Sequence, residues 1–286
     1  MHFGVAFANV FTFAEPEAAR AIATIAEEAG FESLWTVEHV VVPAGYRSTY
    51  PYDPSGKMPA PDDTPLPDPF VWLAFVAAAT SRIKLGTGIA ILPQRNPLIA
   101  AKEVATLDRL SGGRVLLGVG AGWLKEEFEA LGVPFERRGR RLDEHIGAMR
   151  ALWADEKASY DGELVRFAPC TMSPRPAAGR VPIHIGGHTD VAARRAGRLG
   201  DGFFPGTADL DELASALRVM RQAAEEAGRD PDAIEVTTGG PLDADGIKRL
   251  ADLGVHRVTI PPLAFDVEGL RGGLGSFAED VMPRVG

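Results

Sequence analysis

The chain has 286 residues, of which 45% are hydrophobic and 24% are charged, a composition typical of a soluble globular enzyme. Acidic residues outnumber basic ones by 39 to 30, and the formal net charge of -9 argues against nucleic acid or an anionic membrane as a general partner. The single cysteine, Cys170, excludes an intrachain disulfide and a cysteine-based zinc site.

The chain begins with a strand-like run and lacks a basic region followed by a long apolar one, so we expect no signal peptide. No apolar stretch is long enough to cross a bilayer. The expectation is therefore a cytoplasmic enzyme whose partner is a small-molecule substrate.

Short β-rich runs then alternate with amphipathic helical runs, which predicts a parallel α/β architecture. The predicted strands cover about residues 2–8, 31–37, 83–91, 114–119, 182–186, 201–205, 233–238 and 256–260. The predicted helices cover about residues 16–29, 69–80, 97–110, 137–153, 189–199, 210–227, 244–252 and 266–280. Eight strand–helix units favour a single domain over residues 1–286, folded as a closed (β/α)8 TIM barrel, and an open doubly wound sheet is the alternative.

Two segments interrupt this repeat. A long loop rich in Pro, Asp and Tyr, residues 43–67, follows the second strand, and we call it the lid segment. In a barrel this loop lies on the catalytic face, so an ordered lid over the pocket is favoured over a disordered surface insertion. The second segment, residues 159–167, is predicted to form a β-hairpin that turns at Asp161-Gly162.

The C-terminal ends of the strands carry the active site in barrels of this type. Glu38 and His39 directly follow the second strand, where a carboxylate and an imidazole can transfer protons near neutral pH. An ordinary polar turn is the alternative. The position at a strand end favours His39 as the catalytic residue.

Glycines stand at two further strand ends. In the third strand, Gly86 and Gly88 weaken strand pairing, which predicts either a bulge beside a flat ligand or tight packing of a helix. The fourth strand leads into Gly120, Ala121 and Gly122. Their spacing does not match the dinucleotide-binding fingerprint, and these small residues instead leave room for a broad planar ring.

The fifth strand leads into Gly186, Gly187 and His188, and a helix begins directly afterwards. Backbone N–H groups and the positive end of a helix dipole bind phosphate without a lysine, which favours a phosphate site here. The alternative is a simple helix-opening turn that is capped by Thr189.

Together these segments resemble the luciferase-like monooxygenase superfamily, and most closely its branch of coenzyme F420-dependent oxidoreductases. The resemblance extends over nearly the whole chain and is most specific from the third strand through Trp123. The segments that carry it are Gly88-Ile89, Pro93-Gln94-Arg95-Asn96-Pro97, Leu107 to Arg114, Gly118 to Trp123, and Ile185-Gly186-Gly187-His188.

The resemblance implies a barrel that holds a deazaflavin or isoalloxazine ring at the strand mouths, with a non-prolyl cis peptide at Gly88-Ile89 behind one ring face. It implies that His39 is the active-site histidine and that the chain forms a homodimer. The cofactor-binding residues inferred from it are Glu38, Thr87, Gly88, Ile89, Gly120, Ala121, Gly122, Gly186, Gly187 and His188.

At Trp123 the sequence differs from some members of this family. Sugar-phosphate dehydrogenases that belong to it carry glutamate at this place, so a reaction of the glucose-6-phosphate type is not expected. Trp123 and Tyr50 of the lid segment are the predicted substrate-pocket residues.

The other histidines are given structural roles: His2, His184 and His256 lie in predicted strands, and His145 is predicted to be solvated on a helix. No His-x-His pair lies on a strand, so no metal is expected. The basic cluster at residues 137–141 is either a solvated helix start or a surface that steers the polyglutamate tail of F420.

The leading hypothesis is a coenzyme F420-dependent oxidoreductase that transfers a hydride between C5 of the deazaflavin and a small organic substrate, while His39 moves the matching proton. The main alternative is an FMN-dependent monooxygenase that uses dioxygen. A flavin-binding protein without turnover and a metal-dependent hydrolase are further alternatives. The sequence does not identify the substrate.

Overall fold

A computed structural model describes residues 1–207 and 209–285 and contains a closed barrel of eight parallel strands. The barrel strands are β1 (His2–Val5), β2 (Ser33–Thr36), β3 (Lys84–Thr87), β4 (Val115–Val119), β7 (Ile183–Gly186), β8 (Gly202–Phe204), β9 (Glu235–Gly239) and β10 (Arg257–Ile260). Two more strands, β5 (Ala158–Asp161) and β6 (Arg166–Cys170), form a separate sheet. Around the ring the order is β1, β10, β9, β8, β7, β4, β3 and β2. This closure confirms the predicted (β/α)8 barrel and excludes the open sheet.

Helices surround the barrel, and the hydrophobic core lies between them and the strands. The helices are α1 (Pro16–Glu28), α2 (Pro69–Ala77), α3 (Pro97–Ser111), α4 (Lys125–Ala130), α5 (Arg138–Ala154), α6 (Asp190–Leu199), α7 (Leu210–Glu226), α8 (Ala244–Asp252) and α9 (Val267–Asp280). All the predicted helices are present within a few residues of their expected bounds, and α4 was not predicted.

The helices that follow β2 and β3 begin where the sequence places a capping side chain before a proline. The side chains of Asp68 and Asn96 each accept a backbone N–H two residues further on, at 2.9 Å in both cases. Proline at the first helical position has no N–H that needs a partner there. These caps place the starts of α2 and α3 at the rim where the barrel strands end.

The third strand is shorter than predicted because the chain leaves the strand ladder after Thr87. The peptide bond between Gly88 and Ile89 is cis, as the resemblance implied. Ala90 then pairs again with β4, and its N–H donates to the carbonyl of Gly118 at 2.8 Å. Position 118 requires glycine, since a Cβ there would lie 1.8 Å from the carbonyl oxygen of Thr87. Close backbone contact therefore explains part of the glycine pattern.

The predicted hairpin is present as β5 and β6, which pair only with each other. Its turn is closed by the N–H of Gly162, which donates to the carbonyl of Val165 at 2.8 Å. The hairpin packs against α5 and lies outside the barrel wall.

The prediction that His145 is solvated is wrong. The ring is buried in α5, and its Nδ1 faces the carbonyl oxygen of Leu92 at 3.2 Å. Burial lowers the pKa of His145 to about 4, so the ring is neutral at neutral pH. Burial likewise lowers the pKa of His184, inside the barrel next to Trp35, to about 4. Both are structural groups.

Candidate active site

A cavity of about 880 Å³ opens at the C-terminal ends of the barrel strands, in the size range of small-molecule sites. Loops that follow six of the barrel strands and the lid segment form its wall. The predicted site residues that line it are Glu38, His39, Tyr50, Gly88, Ile89, Gly120, Ala121, Gly122, Trp123, Gly186, Gly187 and His188. The structure therefore brings together residues from five separate parts of the chain.

Thr87 is placed behind the cavity wall, contrary to the predicted cofactor contact. Its side chain is buried, and its Oγ1 donates to the carbonyl of Gly118 at 2.6 Å. Thr87 therefore joins β3 to β4 and supports the bulge that follows.

Glycines at the ends of β4 and β7 make room for the side chain of Ile89 at the floor of the cavity. A Cβ on Gly120 would lie 2.6 Å from Cδ1 of Ile89, and a Cβ on Gly186 would lie 2.5 Å from Cγ2 of Ile89. The Ile89 side chain thus occupies the space that larger residues would need. This part of the cavity wall therefore consists of the Ile89 side chain and glycine backbone, an apolar surface that suits a planar ring.

His39 lies at the edge of the cavity with its side chain 10% exposed. Its Nδ1 is 3.0 Å from Oε2 of Glu127. An ionised carboxylate can only accept a hydrogen bond, so the neutral ring carries its proton on Nδ1. The other ring nitrogen, Nε2, is then the atom that can exchange a proton with a ligand.

Glu127 contacts His39 and is a residue of the candidate site that the sequence did not reveal. Its Oε1 accepts the N–H of Val40 at 2.6 Å, so one carboxylate holds both the imidazole and the backbone beside it. Burial by itself raises the pKa of Glu127, but the hydrogen bond and charge of His39, together with the N–H of Val40, outweigh it. The net pKa lies below the ordinary value, and Glu127 is ionised at neutral pH.

Glu38 lines the cavity, but its carboxylate is occupied by other protein groups. Oε2 accepts the N–H of Ile91 at 2.5 Å, and Oε1 accepts Nε–H of Arg95 at 3.1 Å and a second N–H from the same guanidinium. Arg95 also pairs with Asp68 at 2.7 Å. Glu38 therefore shapes the wall and leaves no free negative charge for a cofactor contact.

Aromatic side chains connect the lid segment to the barrel. Trp123 meets the ring of Tyr46 at 5.5 Å and that of Tyr50 at 5.2 Å between centroids. Tyr52 contacts Tyr50 at 5.5 Å and His188 at 5.1 Å. The lid segment thus crosses the mouth from the β2 side to the β7 side, over the pocket as predicted.

Glu126 attaches the start of the lid segment to α4. It accepts hydrogen bonds from Oγ of Ser48 at 2.6 Å and from the N–H of Arg47 at 2.8 Å. Ser48 Oγ in turn accepts the N–H of Lys125 at 3.1 Å and so completes the helix start. The bond from Ser48 and that from the backbone lower the pKa of Glu126 to about 2. Of two consecutive glutamates, Glu126 therefore holds the lid segment and Glu127 holds His39.

The predicted phosphate site needs one correction. The N–H of Gly187 donates to the carbonyl of Phe204 at 3.2 Å, so it is already used within the protein. The remaining donors are the N–H groups of residues 188–191, which have no backbone acceptor among the described residues; those of 189–191 belong to the helix start, where no carbonyl partner is available. Thr189 caps α6 by accepting the N–H of Ala192 at 3.3 Å, as the alternative interpretation stated. The cap leaves the helix dipole available for an anion.

The arginines of the basic cluster at 137–141 differ in position: some lie at the protein surface and one lines the cavity. Arg137 pairs with Glu163 at 2.6 Å and Arg140 pairs with Glu144 at 2.9 Å, outside the cavity. Arg138 lines the cavity and donates from Nε to the carbonyl of Gly122 at 2.9 Å, which leaves its terminal N–H groups for a ligand. One arginine of the cluster therefore supplies a cation at the cavity.

Among residues 1–207 and 209–285, no three His, Cys, Asp or Glu side chains are grouped closely enough to hold a metal ion. Within the same ranges, no helix is both long and apolar enough to span a membrane.

The model of the luciferase-like monooxygenase family matches residues 1–245. An uncharacterized protein of Mycobacterium tuberculosis is 36% identical over 284 residues, which cover 96% of both chains. An F420-dependent glucose-6-phosphate dehydrogenase from Segniliparus rotundus is 36% identical over 171 residues, which cover 57% of this chain and 50% of the relative. The crystal structure of a monooxygenase from Streptomyces bottropensis has a TM-score of 0.80 over the whole of both chains at 24% identity.

Proposed function

Since the chain belongs to the luciferase-like monooxygenase family, we propose that it is a coenzyme F420-dependent oxidoreductase acting on a small organic substrate. The observation that carries the proposal is a histidine, held by a carboxylate, in a cavity whose apolar wall includes Ile89 and several glycines. The name of the relative from Segniliparus rotundus supports the coenzyme. Trp123 argues against the substrate in that name, because an indole offers one N–H donor and no charge.

The residues present fit such a coenzyme. Ile89, Gly120 and Gly186 line the cavity and offer an apolar side chain and glycine backbone against which a tricyclic ring can pack. Residues 188–191 and Arg138 provide backbone donors and a cation for its anionic arm. When bound, the coenzyme supplies hydride transfer at C5 of its deazaflavin ring.

The protein's own contribution is proton transfer and the exclusion of water. Glu127 holds the proton of neutral His39 on Nδ1, so Nε2 accepts a proton from a substrate hydroxyl or, when protonated, donates one to a substrate oxygen. Tyr50 and Trp123 cover this end of the cavity and limit the access of water.

An FMN-dependent monooxygenase is the second candidate. The isoalloxazine of FMN is also a planar ring on a phosphate-bearing arm, so the same floor and donors accept it. The two proposals differ in which coenzyme binds more tightly.

Parallel titration of the purified apoprotein with F420 and FMN tests the proposal. We expect F420 to bind more tightly, and Arg138→Ala to weaken F420 binding about tenfold because a charge-assisted hydrogen bond is lost. Arg137→Ala is the matched control and is expected to leave the affinity unchanged, since Arg137 pairs with Glu163 at the surface. Tighter binding of FMN would overturn the F420 proposal in favour of the second candidate, and failure to bind either coenzyme would refute both.

We also propose that a second copy of the chain covers the outer face of α2. This helix contains no charged residue, although the outer face of a barrel helix is normally polar. Val71 is 70% exposed and Phe75 is exposed beside it, with exposed Ile99 on the neighbouring α3. An apolar patch of this kind on a protein surface marks an interaction site.

Light scattering coupled to size-exclusion chromatography tests this dimer. The unmodified protein is expected to elute as a dimer and Val71→Glu as a monomer, because the new charge would have to be buried without a partner. Leu242→Glu, a substitution at an exposed leucine after β9, is the control and should remain dimeric. A monomeric unmodified protein, or a dimeric Val71→Glu, would refute the interface.

A further inference from the structure

The cavity has two chemically different ends, and the strand order separates them. β7 leads to the anion-binding donors at 188–191. In the barrel of eight strands, β7 is four strands away from β1 and therefore lies directly opposite it. The neighbours of β1 are β10 and β2, and β2 leads to His39. The loops after β1 and β10 therefore bound the His39 side of the cavity, away from the anion-binding end.

Three phenylalanine rings occupy this side of the cavity, which we call the aromatic end. Phe7 and Phe11 follow β1, Phe265 follows β10, and all three line the cavity. Phe11 and Phe265 meet edge to face with their centroids 5.3 Å apart. The exposed fractions of Phe7, Phe11 and Phe265 are 49%, 40% and 52%, so much of their apolar surface faces open space. Apolar surface exposed in a cleft is a feature of ligand-binding sites.

The backbone of two of these residues is strained. Phe7 and Phe11 both have a φ of 54°, in the left-handed region that bulky side chains rarely adopt. Conformations of this kind persist where the surroundings enforce them, and they cluster at ligand-binding sites. The strained backbone at Phe7 and Phe11 thus holds two half-exposed rings at the cavity, where a ligand can contact them.

Charge is distributed unevenly around the cavity. The acidic, basic and histidine side chains that line it, within 1–207 and 209–285, are Glu38, His39, Asp62, Arg138, His188 and Arg195. Arg195 pairs with Asp143. Arg138 is bound to the carbonyl of Gly122, after β4. Within the described residues the aromatic end therefore has no arginine or lysine to compensate a bound anion.

We infer that the aromatic end binds the substrate, and that the substrate is an uncharged, mainly apolar molecule whose carbonyl or hydroxyl group reaches His39. The inference rests on the proposed function for the role of His39. A phosphate or carboxylate at the aromatic end would lose its hydration without gaining a cation, and this cost weakens the binding of negatively charged substrates. Phe7, Phe11 and Phe265 are the specificity-determining residues.

A matched pair of probes tests the inference without turnover. Acetophenone is an uncharged aryl ketone, and 4-acetylbenzoate has the same shape with an added carboxylate. Ligand-observed NMR titration of the full chain, with and without whichever coenzyme binds, is expected to show acetophenone binding at least about tenfold more tightly.

Single substitutions identify the end that binds the probe. Phe11→Ala and Phe265→Ala are each expected to weaken acetophenone binding about five- to tenfold, because an aromatic contact surface is lost. Alanine retains the Cβ at position 11, so the backbone strain is unchanged and the effect reports the ring. Phe167→Ala, on the β5–β6 hairpin, is the control and should bind as the unmodified protein does.

Two results would overturn the inference: equal or tighter binding of 4-acetylbenzoate, or an unchanged acetophenone affinity in both phenylalanine variants. These results are distinguishable from a failure of the proposed function. If neither coenzyme binds but acetophenone binding still depends on Phe11 and Phe265, the apolar binding site is supported and the coenzyme proposal fails. If a coenzyme binds and the rings have no effect, only the present inference fails.

Discussion

His39→Ala is expected to lower kcat about 10²- to 10⁴-fold, the range that a positioned acid or base contributes. The affinity for the coenzyme should change less than about threefold, because the cofactor floor and the anion donors belong to other strands. Steady-state kinetics and coenzyme titration on the same preparation separate the two effects. A loss in kcat without a loss in affinity assigns His39 to the chemical step.

Two further measurements show whether the lower kcat of His39→Ala results from the loss of a group that transfers protons. Added imidazole is expected to restore part of the turnover of His39→Ala, since the substitution leaves space for a free imidazole beside Glu127. His2→Ala removes an exposed histidine at the opposite end of the barrel and should keep the unmodified kcat. A kcat of His39→Ala within about threefold of the unmodified value would exclude His39 from the mechanism.

The barrel and the position of His39 could be predicted because both depend on local sequence. The alternation of strands and helices is a periodic signal, and the residue that follows a barrel strand lies at the catalytic rim whatever the rest of the chain does. His39 directly follows the run that contains β2. Its placement therefore needed no knowledge of distant contacts.

Glu127 could not be found in this way, because its contact with His39 joins residues 88 positions apart. The helix that carries it, Lys125–Ala130, has only six residues, and three charged residues at its start resemble a solvated turn. Two apolar neighbours, Leu124 before the helix and Phe128 after Glu127, were the local signs that this turn faces inward, and both are buried. Glu126 and Glu127 differ in role although their local sequence surroundings are the same.

The prediction that His145 is solvated was wrong, and the prediction for the basic cluster at 137–141 did not distinguish its arginines. Both shortcomings have the same origin. Whether His145 faces water depends on where the turn at Leu92 packs against α5, and that packing is a tertiary contact. In the basic cluster, Arg138 faces the cavity and Arg137 does not because α5 begins between them. The run of arginines in the sequence revealed the cluster. Which of these arginines reaches the cavity depends on where α5 begins, and the run itself does not show this.

Glu127→Gln is expected to lower kcat about 10²-fold, since carboxylates that orient a functional histidine typically have effects of this size or larger. Glutamine has one acceptor oxygen where Glu127 has two. The N–H of Val40 and Nδ1–H of His39 both need an acceptor, so the amide group turns its N–H₂ toward one of them. An N–H₂ that faces His39 places the ring proton on Nε2, and the atom that should accept the substrate proton is then blocked.

The tautomer of His39 is the readout that separates orientation from general destabilisation. In protein labelled with ¹⁵N histidine, the neutral ring of the unmodified protein is expected to carry its proton on Nδ1, and that of Glu127→Gln largely on Nε2. Glu126→Gln makes the same chemical change one residue earlier, at the carboxylate that holds Ser48, and should leave the tautomer unchanged. If Glu127→Gln kept both the Nδ1–H tautomer and the unmodified kcat, the carboxylate would have no part in orienting the ring, and His39 would have to act without it.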